Sequence, residues 1–289
     1  SFTNKRAQNE DFCFSKQNCI YLFDGHGGFD IAEGLYEYFY EHDCNSLEQV
    51  QQEVYAFESS FKDDSLIQQM TIGSTFVCCL VIEGQFHILN IGDSFCYTKS
   101  FSNRLHQPNN ELSRLSKCEK YSVQKNKIDN NLSVSRAVGD FNYKDVVISE
   151  GDRYTIAREK FVIVASDGLT FGKDVLFEIL EQFSDKNFQF EDDSIENERF
   201  TFNQMSQDEA NNEELSKEEI FTAFECLLKK RINKALKIIQ KARYNGFIEP
   251  EQEINTQMTQ LQKIVTCLCQ MVQFTGGSDN CTIVIGKMW

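Results

Sequence analysis

A chain of 289 residues is long enough for one large domain or two small ones, and with 41% apolar residues it can bury a sizeable core. Its formal net charge of −15 disfavours nucleic-acid binding, which calls for a basic face. The longest clean apolar run, Phe76–Ile82, falls far short of the ~20 residues a membrane helix needs.

An acidic excess has two ordinary meanings, solubility and carboxylate clusters that hold hard cations, and position decides between them. The opening Ser1-Phe-Thr-Asn-Lys-Arg6 has no apolar signal region, and a start without Met leaves an upstream targeting or lipidation segment open. Eleven Cys are scattered, several in apolar runs such as Cys78, Cys79 and Cys281, where they read as small buried hydrophobes. That usage points to an intracellular protein, cytoplasmic or nuclear. Cys267-Leu-Cys269 lacks the Cys-x-x-Cys spacing of a zinc site.

In chain order, Phe12–Phe14 and Ile20–Phe23 flank a polar Ser15–Asn18 turn and predict a hairpin. Phe29–His42 predicts a helix, with Ile31, Leu35, Tyr38 and Phe39 on one face, and Ser46–Phe61 a second. Strands are expected at Thr75–Ile82, Phe86–Ile91, Phe95–Thr98 and Phe161–Ala165, then a helix at Asp174–Phe183. Ser184–Glu219 is rich in Asp, Glu, Asn and Gln and reads as an acidic surface insertion. Ser216-Lys-Glu-Glu219 has the form of a capping box opening a helix to about Arg243. Lys229, Lys230, Arg231, Lys234, Lys237, Lys241 and Arg243 on that helix read as a solvated face balancing the insertion. A last helix is expected near Thr256–Phe274, and a closing strand at Thr282–Ile285. Strands interleaved with helices through short hairpins imply layered α and β with mainly antiparallel sheets.

The informative feature is where three Asp residues fall. Asp24 directly follows Cys19–Phe23, and Asp167 follows Phe161–Ser166; each is succeeded by Gly. Asp279 precedes its strand instead, so an antiparallel last strand would bring all three carboxylates to one end of the sheet. Carboxylates so placed repel one another unless divalent cations lie between them, and oxygen-only ligands suit Mg²⁺ or Mn²⁺. His26, two residues past Asp24, would stand at the rim, where an imidazole can donate a proton to a leaving group. Singly, an Asp-Gly after a strand is ordinarily a turn and a lone His ordinarily structural. The joint pattern is what sets these residues apart.

At this point the chain resembles the protein phosphatase 2C family. The match consists of ordered blocks: Arg6-Ala-Gln-Asn-Glu-Asp11, Phe23-Asp-Gly-His-Gly-Gly28, Gly73-Ser-Thr75, Gly92-Asp-Ser94, Leu132–Asp140, Ala165–Leu169 and Ser278-Asp-Asn280. The resemblance implies an α+β fold, a four-layer α/β-β/α sandwich with two mainly antiparallel sheets flanked by helices, as a single catalytic domain over 1–289. It implies two Mn²⁺ or Mg²⁺ ions. Asp24 would bridge both, Asp167 and Asp279 would hold the first, and Glu10 and the Gly25 carbonyl would help hold the second. Asp11 would orient metal-bound water, Arg6 would bind phosphate through its planar fork, and His26 would be the general acid.

The implied activity is metal-dependent hydrolysis of phosphoserine and phosphothreonine on phosphoprotein substrates, in signalling, by a water attacking phosphorus in line. None of the Cys stands in a Cys-x5-Arg phosphate loop. Asp93 and Ser94 are expected to serve packing and turn hydrogen bonds, and Asp140 and Arg136 to brace a loop. Two acidic positions that many members use for a third metal are Leu105 and Phe171 here, Asp174 has the wrong spacing, and Phe95 replaces a common Arg. The third site is therefore expected to be absent or built differently, and the alternative to an active enzyme is a slow or inactive pseudophosphatase acting as a binding or scaffold module. A monomer is the default expectation.

Overall fold

The structure is a computed structural model that describes residues 8–16, 18–61, 64, 67–103, 123–124, 127–129, 132–185, 215–228, 235, 258–274 and 279–288. The chain divides into two compact units, one built mainly from residues 7–167 and 282–289 and the other mainly from residues 168–281.

The first unit opens with the expected hairpin, β1 (Asp11–Lys16) and β2 (Cys19–His26), paired antiparallel from Asp11↔Asp24 to Lys16↔Cys19. β2 runs three residues further than the apolar pattern predicts. Asp24 therefore lies within the strand, because Gly25 and His26 find a second partner in the short β3 (Gly73–Ser74). Helices α1 (Asp30–Glu41) and α2 (Leu47–Ser60) follow within a residue of expectation. α2 is capped by Ser46, whose Oγ accepts from the Gln49 N–H at 3.2 Å.

β4 (Phe76–Ile82) and β5 (Gln85–Ile91) form a hairpin over Glu83-Gly84, and β6 (Phe95–Tyr97) leads away from it. The small pair β7 (Val123–Gln124) and β8 (Lys127–Ile128) stands apart, followed by β9 (Val138–Gly139), β10 (Asp152–Ala157), β11 (Phe161–Ala165) and β12 (Ile283–Lys287). Sequence patterning misses β10. Its inward residues reduce to Tyr154 and Ile156, which alternate with the exposed Arg153 and Thr155.

The larger sheet runs β10-β5-β4-β2-β3-β9, with β1 also on β2, and the smaller runs β12-β11-β6. All these pairings are antiparallel, including β12 on β11, so the expected α+β class with two antiparallel sheets is found.

Alternation along β2 explains both faces of the larger sheet. Tyr21 and Phe23 join Phe14, Phe39, Phe57 and Phe76 beneath α1 and α2, whereas Ile20 and Leu22 meet Val162 and Val164 of β11 between the sheets. Strands buried on both faces read as continuous apolar runs, which is why β2, β4 and β11 were legible. The first unit thus stacks helices, sheet and sheet.

The second unit holds α3 (Lys173–Phe183), α4 (Lys217–Leu228) and α5 (Gln260–Phe274). Phe183 packs against Phe221 and Phe224, and Gln260 Nε2 donates to the Phe183 carbonyl at 3.1 Å. The capping box is present: Ser216 Oγ accepts from the Glu219 N–H at 3.3 Å, and Glu219 Oε2 accepts from the Ser216 N–H at 3.0 Å. Residues 186–214 of the acidic insertion, and the basic residues from Lys229 to Arg243, lie outside the described residues.

Among the described residues every cysteine is free, with Cys78, Cys79 and Cys281 buried as expected, and no helix is long and apolar enough to cross a membrane.

Phe76 is fully buried, with ring centroids 5.0–5.9 Å from Phe39, Phe23 and Tyr21. Phe76→Ala should cost about 3–5 kcal/mol. The check is a lowered denaturant midpoint with the far-UV spectrum of the folded protein retained.

Candidate metal and phosphate site

The register of the first hairpin sets two carboxylates directly opposite each other, Asp11 on β1 and Asp24 on β2. Asp11 is 2% exposed. Its Oδ2 accepts from Ser166 Oγ at 3.0 Å, and its Oδ1 meets no hydrogen-bond donor among the described residues. Burial pushes the Asp11 carboxyl up to about 6, against the lowering effect of Thr282, Asp24 and Ser166 beside it. Asp24 keeps some accessible surface, but protein surrounds it on most sides. Its carboxyl is held well above the usual carboxylate range, first by burial and then by the charges of Asp11, Asp167 and Asp93.

Hydroxyls complete the surroundings. The strand that pairs with β2 breaks at Thr75, between β3 and β4. There Thr75 Oγ1 accepts from the Asp24 N–H at 3.3 Å and shares a 2.6 Å hydrogen bond with Ser94 Oγ, which donates to Asp24 Oδ2 at 3.4 Å. Ser94 therefore touches the central carboxylate as well as serving the expected turn. Gly25 is required by a close approach: its N–H donates to the Glu10 carbonyl at 3.0 Å, and a Cβ there would meet that oxygen at 2.5 Å. Glu10, immediately ahead of β1, is thereby tied to the residue after Asp24.

Asp167 lies exposed, two residues beyond β11. His26 Nε2 lies 2.7 Å from Oδ2 of the fully buried Asp140. Burial alone would lower the His26 pKa, but the Asp140 hydrogen bond and charge outweigh it and raise the value. Asp140 thus engages the candidate acid directly, a role beyond the expected loop brace. Arg136 does brace its loop, donating to Asp152 Oδ1 and the Glu150 carbonyl at 3.0 Å each.

Asp279 belongs to the second unit, where its Oδ1 accepts from the Asn280 N–H at 2.9 Å. Phe171, also in that unit, is buried. Arg6 and Leu105 lie outside the described residues.

The residues at Asp24 fit a hard cation. They are oxygen donors, among them two carboxylates that face each other, with one buried Asp11 oxygen lacking a hydrogen-bond donor among the described residues. Among the described residues no three His, Cys, Asp or Glu side chains close a coordination shell by themselves. Thr75 and Asp140 escaped the sequence reading as parts of this region. The Gly73-Ser-Thr75 and Leu132–Asp140 blocks carried a signal for both, though not for which side chains they would meet.

A carboxyl whose pKa is raised by folding binds its proton more tightly in the folded chain than in the unfolded one. Its contribution to stability is full at acid pH and is lost as pH rises from about 4 to about 6. In chelator, Asp11→Asn should therefore gain stability relative to wild type as pH rises, reaching about 2–3 kcal/mol by pH 7 and little at pH 4. Thermal melts of both proteins across that window provide the check.

Comparison with known proteins gives this arrangement a context. A family model described as Protein phosphatase 2C matches residues 2–176. Over 168 residues the chain is 29% identical to the probable protein phosphatase 2C 28 of Arabidopsis thaliana, covering 51% of this chain and 49% of that protein. The chain thus spans about half the length, or less, of the curated relatives it matches. Among solved structures, a C. elegans sex determining protein is similar at TM-score 0.61 and 18% identity, over 99% of this chain and 63% of that one. A phosphatase from a pathogenic strain of Toxoplasma gondii is similar at TM-score 0.54 and 14% identity, over 98% and 89%. At these identities the likeness is one of fold. With that fold, the acidic blocks it carries, and a family model that matches more than half its length, the chain belongs to the protein phosphatase 2C family.

Proposed function

We propose that this protein is a metal-dependent serine/threonine phosphatase that hydrolyses phosphoserine and phosphothreonine on phosphoprotein substrates inside the cell. The observation that supports this reading most is the pairing of Asp11 with Asp24 in a buried hairpin, where Asp167 and Asp93 add further negative charge. Such crowding is costly unless cations occupy it.

Two Mn²⁺ or Mg²⁺ ions would be held by Asp24, Asp167, Glu10 and the Gly25 carbonyl, with Asp11 beside them; Asp279 joins the set on the sequence resemblance alone, as does Arg6 for the phosphate. When bound, the ions supply Lewis-acid activation of the attacking water and neutralise charge on the phosphoryl group.

The chain's own residues do the rest. Thr75 and Ser94 orient Asp24 without bringing a competing positive charge. Ser166 fixes one oxygen of Asp11 and leaves the other without a hydrogen-bond donor among the described residues. His26, one residue past Gly25, protonates the departing serine or threonine oxygen, and the hydrogen bond and charge of Asp140 favour its protonated form. No covalent phosphoenzyme is required. Residues 1–289 act in this reading as one catalytic domain.

The buried Phe171, where many relatives have an acid, favours a second reading: a slow or inactive phosphatase that serves as a binding or scaffold module.

Activity on phosphoserine and phosphothreonine peptides with Mn²⁺, Mg²⁺ or chelator separates the two. The enzyme reading expects Mn²⁺-stimulated turnover that chelator abolishes and that Asp24→Asn or Asp167→Asn lowers at least a hundredfold, a loss of about 2.7 kcal/mol or more in transition-state stabilisation. Two-site Mn²⁺ binding by calorimetry with no turnover at any Mn²⁺ concentration would establish the scaffold.

A further inference from the structure

A side chain that gives up a proton in phosphoryl transfer needs its ring held in place with the correct nitrogen outward. The partner that can do this for His26 is Asp140, which lies 114 residues away in sequence and is brought in by three neighbouring strands. His26 on β2 is opposite Gly73 on β3, and Gly73 is opposite Gly139 on β9. Gly73 has no side chain to stand between them, so the Asp140 carboxylate reaches the imidazole past its bare Cα. A Cβ on Gly73 would collide with Asp140 Oδ2 and come within 2.6 Å of His26 Nε2.

Asp140 takes this position in a left-handed conformation, φ 47° and ψ 45°, which an L-residue with a Cβ adopts at a cost. Two sets of contacts hold it there. The Asp140 N–H donates to the Ile72 carbonyl at 2.8 Å. On the other side Glu58 of α2 clamps the segment: its Oε1 accepts from the Gly139 N–H at 3.0 Å and from Lys144 Nζ at 2.5 Å, and its Oε2 accepts from Ser149 Oγ at 2.5 Å. One carboxylate on a helix thus fixes the turn from both flanks of Asp140.

We propose that Asp140 is a positioning residue for His26, pinned in its turn by Glu58, so that Nε2 is engaged and Nδ1 carries the proton delivered to the leaving oxygen. The proposal rests on the phosphatase reading, with His26 as general acid. As the bond from phosphorus to the serine or threonine oxygen breaks, the Nδ1 proton passes to that oxygen and the substrate leaves as the free alcohol. The imidazole is left neutral, with its Nε2–H still on Asp140, and takes up a new proton from solvent. The attacking water supplies the fourth phosphate oxygen.

General-acid assistance matters for an alkoxide leaving group and little for p-nitrophenolate, which departs readily by itself. The test measures kcat of the full chain with Mn²⁺ on a phosphothreonine peptide and on p-nitrophenyl phosphate, for wild type, His26→Ala, Asp140→Asn, Gly73→Ala and Glu58→Gln. Asp140→Asn and Gly73→Ala should each lose at least tenfold more on the peptide than on p-nitrophenyl phosphate. His26→Ala should show the same signature more strongly, and Glu58→Gln more weakly. Gly73→Ala parts the pair while leaving both side chains intact, so it and Glu58→Gln carry the test if Asp140→Asn does not fold. Equal losses on both substrates for these variants, with His26→Ala still selective, would overturn the positioning role and leave the acid in place. Equal losses for His26→Ala itself would remove the general acid and Asp140's role with it, whereas Mn²⁺-dependent turnover by wild type would still stand for the phosphatase reading.

Discussion

Two carboxylates facing each other across an antiparallel strand pair are an unfavourable arrangement, and the surroundings of Asp11 and Asp24 are shaped by it. Like charges at directly opposed positions repel, with Cβ atoms only about 4.5–5.5 Å apart, and burial removes the water that would screen them. Burial raises both carboxyls first; the charge of Asp11 raises Asp24 further, whereas Asp24 lowers Asp11 through a side-chain hydrogen bond. A hairpin carrying such a pair needs stabilisation from elsewhere. It comes from the aromatic cluster beneath α1 and α2, centred on Tyr21, Phe23, Phe39 and Phe76, and from the inter-sheet core built on Ile20, Leu22, Val162 and Val164. Stability in the two cores offsets that local cost.

The groups touching these carboxylates add no charge of their own. Ser94, Thr75 and Ser166 are neutral and short. They orient the acids through single hydrogen bonds and leave oxygen lone pairs for other ligands. The placement of Thr75 follows the strand register: Leu22↔Val77 and Gly25↔Ser74 keep one antiparallel register, which sets Thr75 opposite Asp24, where its hydroxyl accepts from the Asp24 N–H. Continued pairing with β3 carries β2 past Asp24, so the acid, Gly25 and His26 sit on a strand rather than on a loop.

Much of the first unit was legible because its strands are buried on both faces. Cys19–Phe23, Phe76–Ile82 and Phe161–Ala165 are runs that only a sheet between two layers accommodates, and α1 and α2 show the 3.6-residue periodicity of helices with one wet face. β10 was not legible. An edge strand with two inward residues, Tyr154 and Ile156, carries too little apolar pattern, and its partner β5 supplies the pairing that the pattern does not announce. The two-residue strands β3 and β9 are likewise beyond local reading, since their existence is a matter of neighbours.

The sequence by itself determined the identities that matter: which carboxylates follow or open a strand, which glycines stand beside them, and which blocks recur in family order from Arg6 to Asn280. These are local or ordered features, set by side-chain chemistry and spacing along one chain. Tertiary structure alone decided that Asp11 opposes Asp24, that Thr75 and Ser94 meet Asp24, and that Asp140 reaches His26 past Gly73 beside a Glu58-bonded Gly139. Each of these depends on strand register between distant segments, and a shift of one residue in that register would turn every side chain to the opposite face.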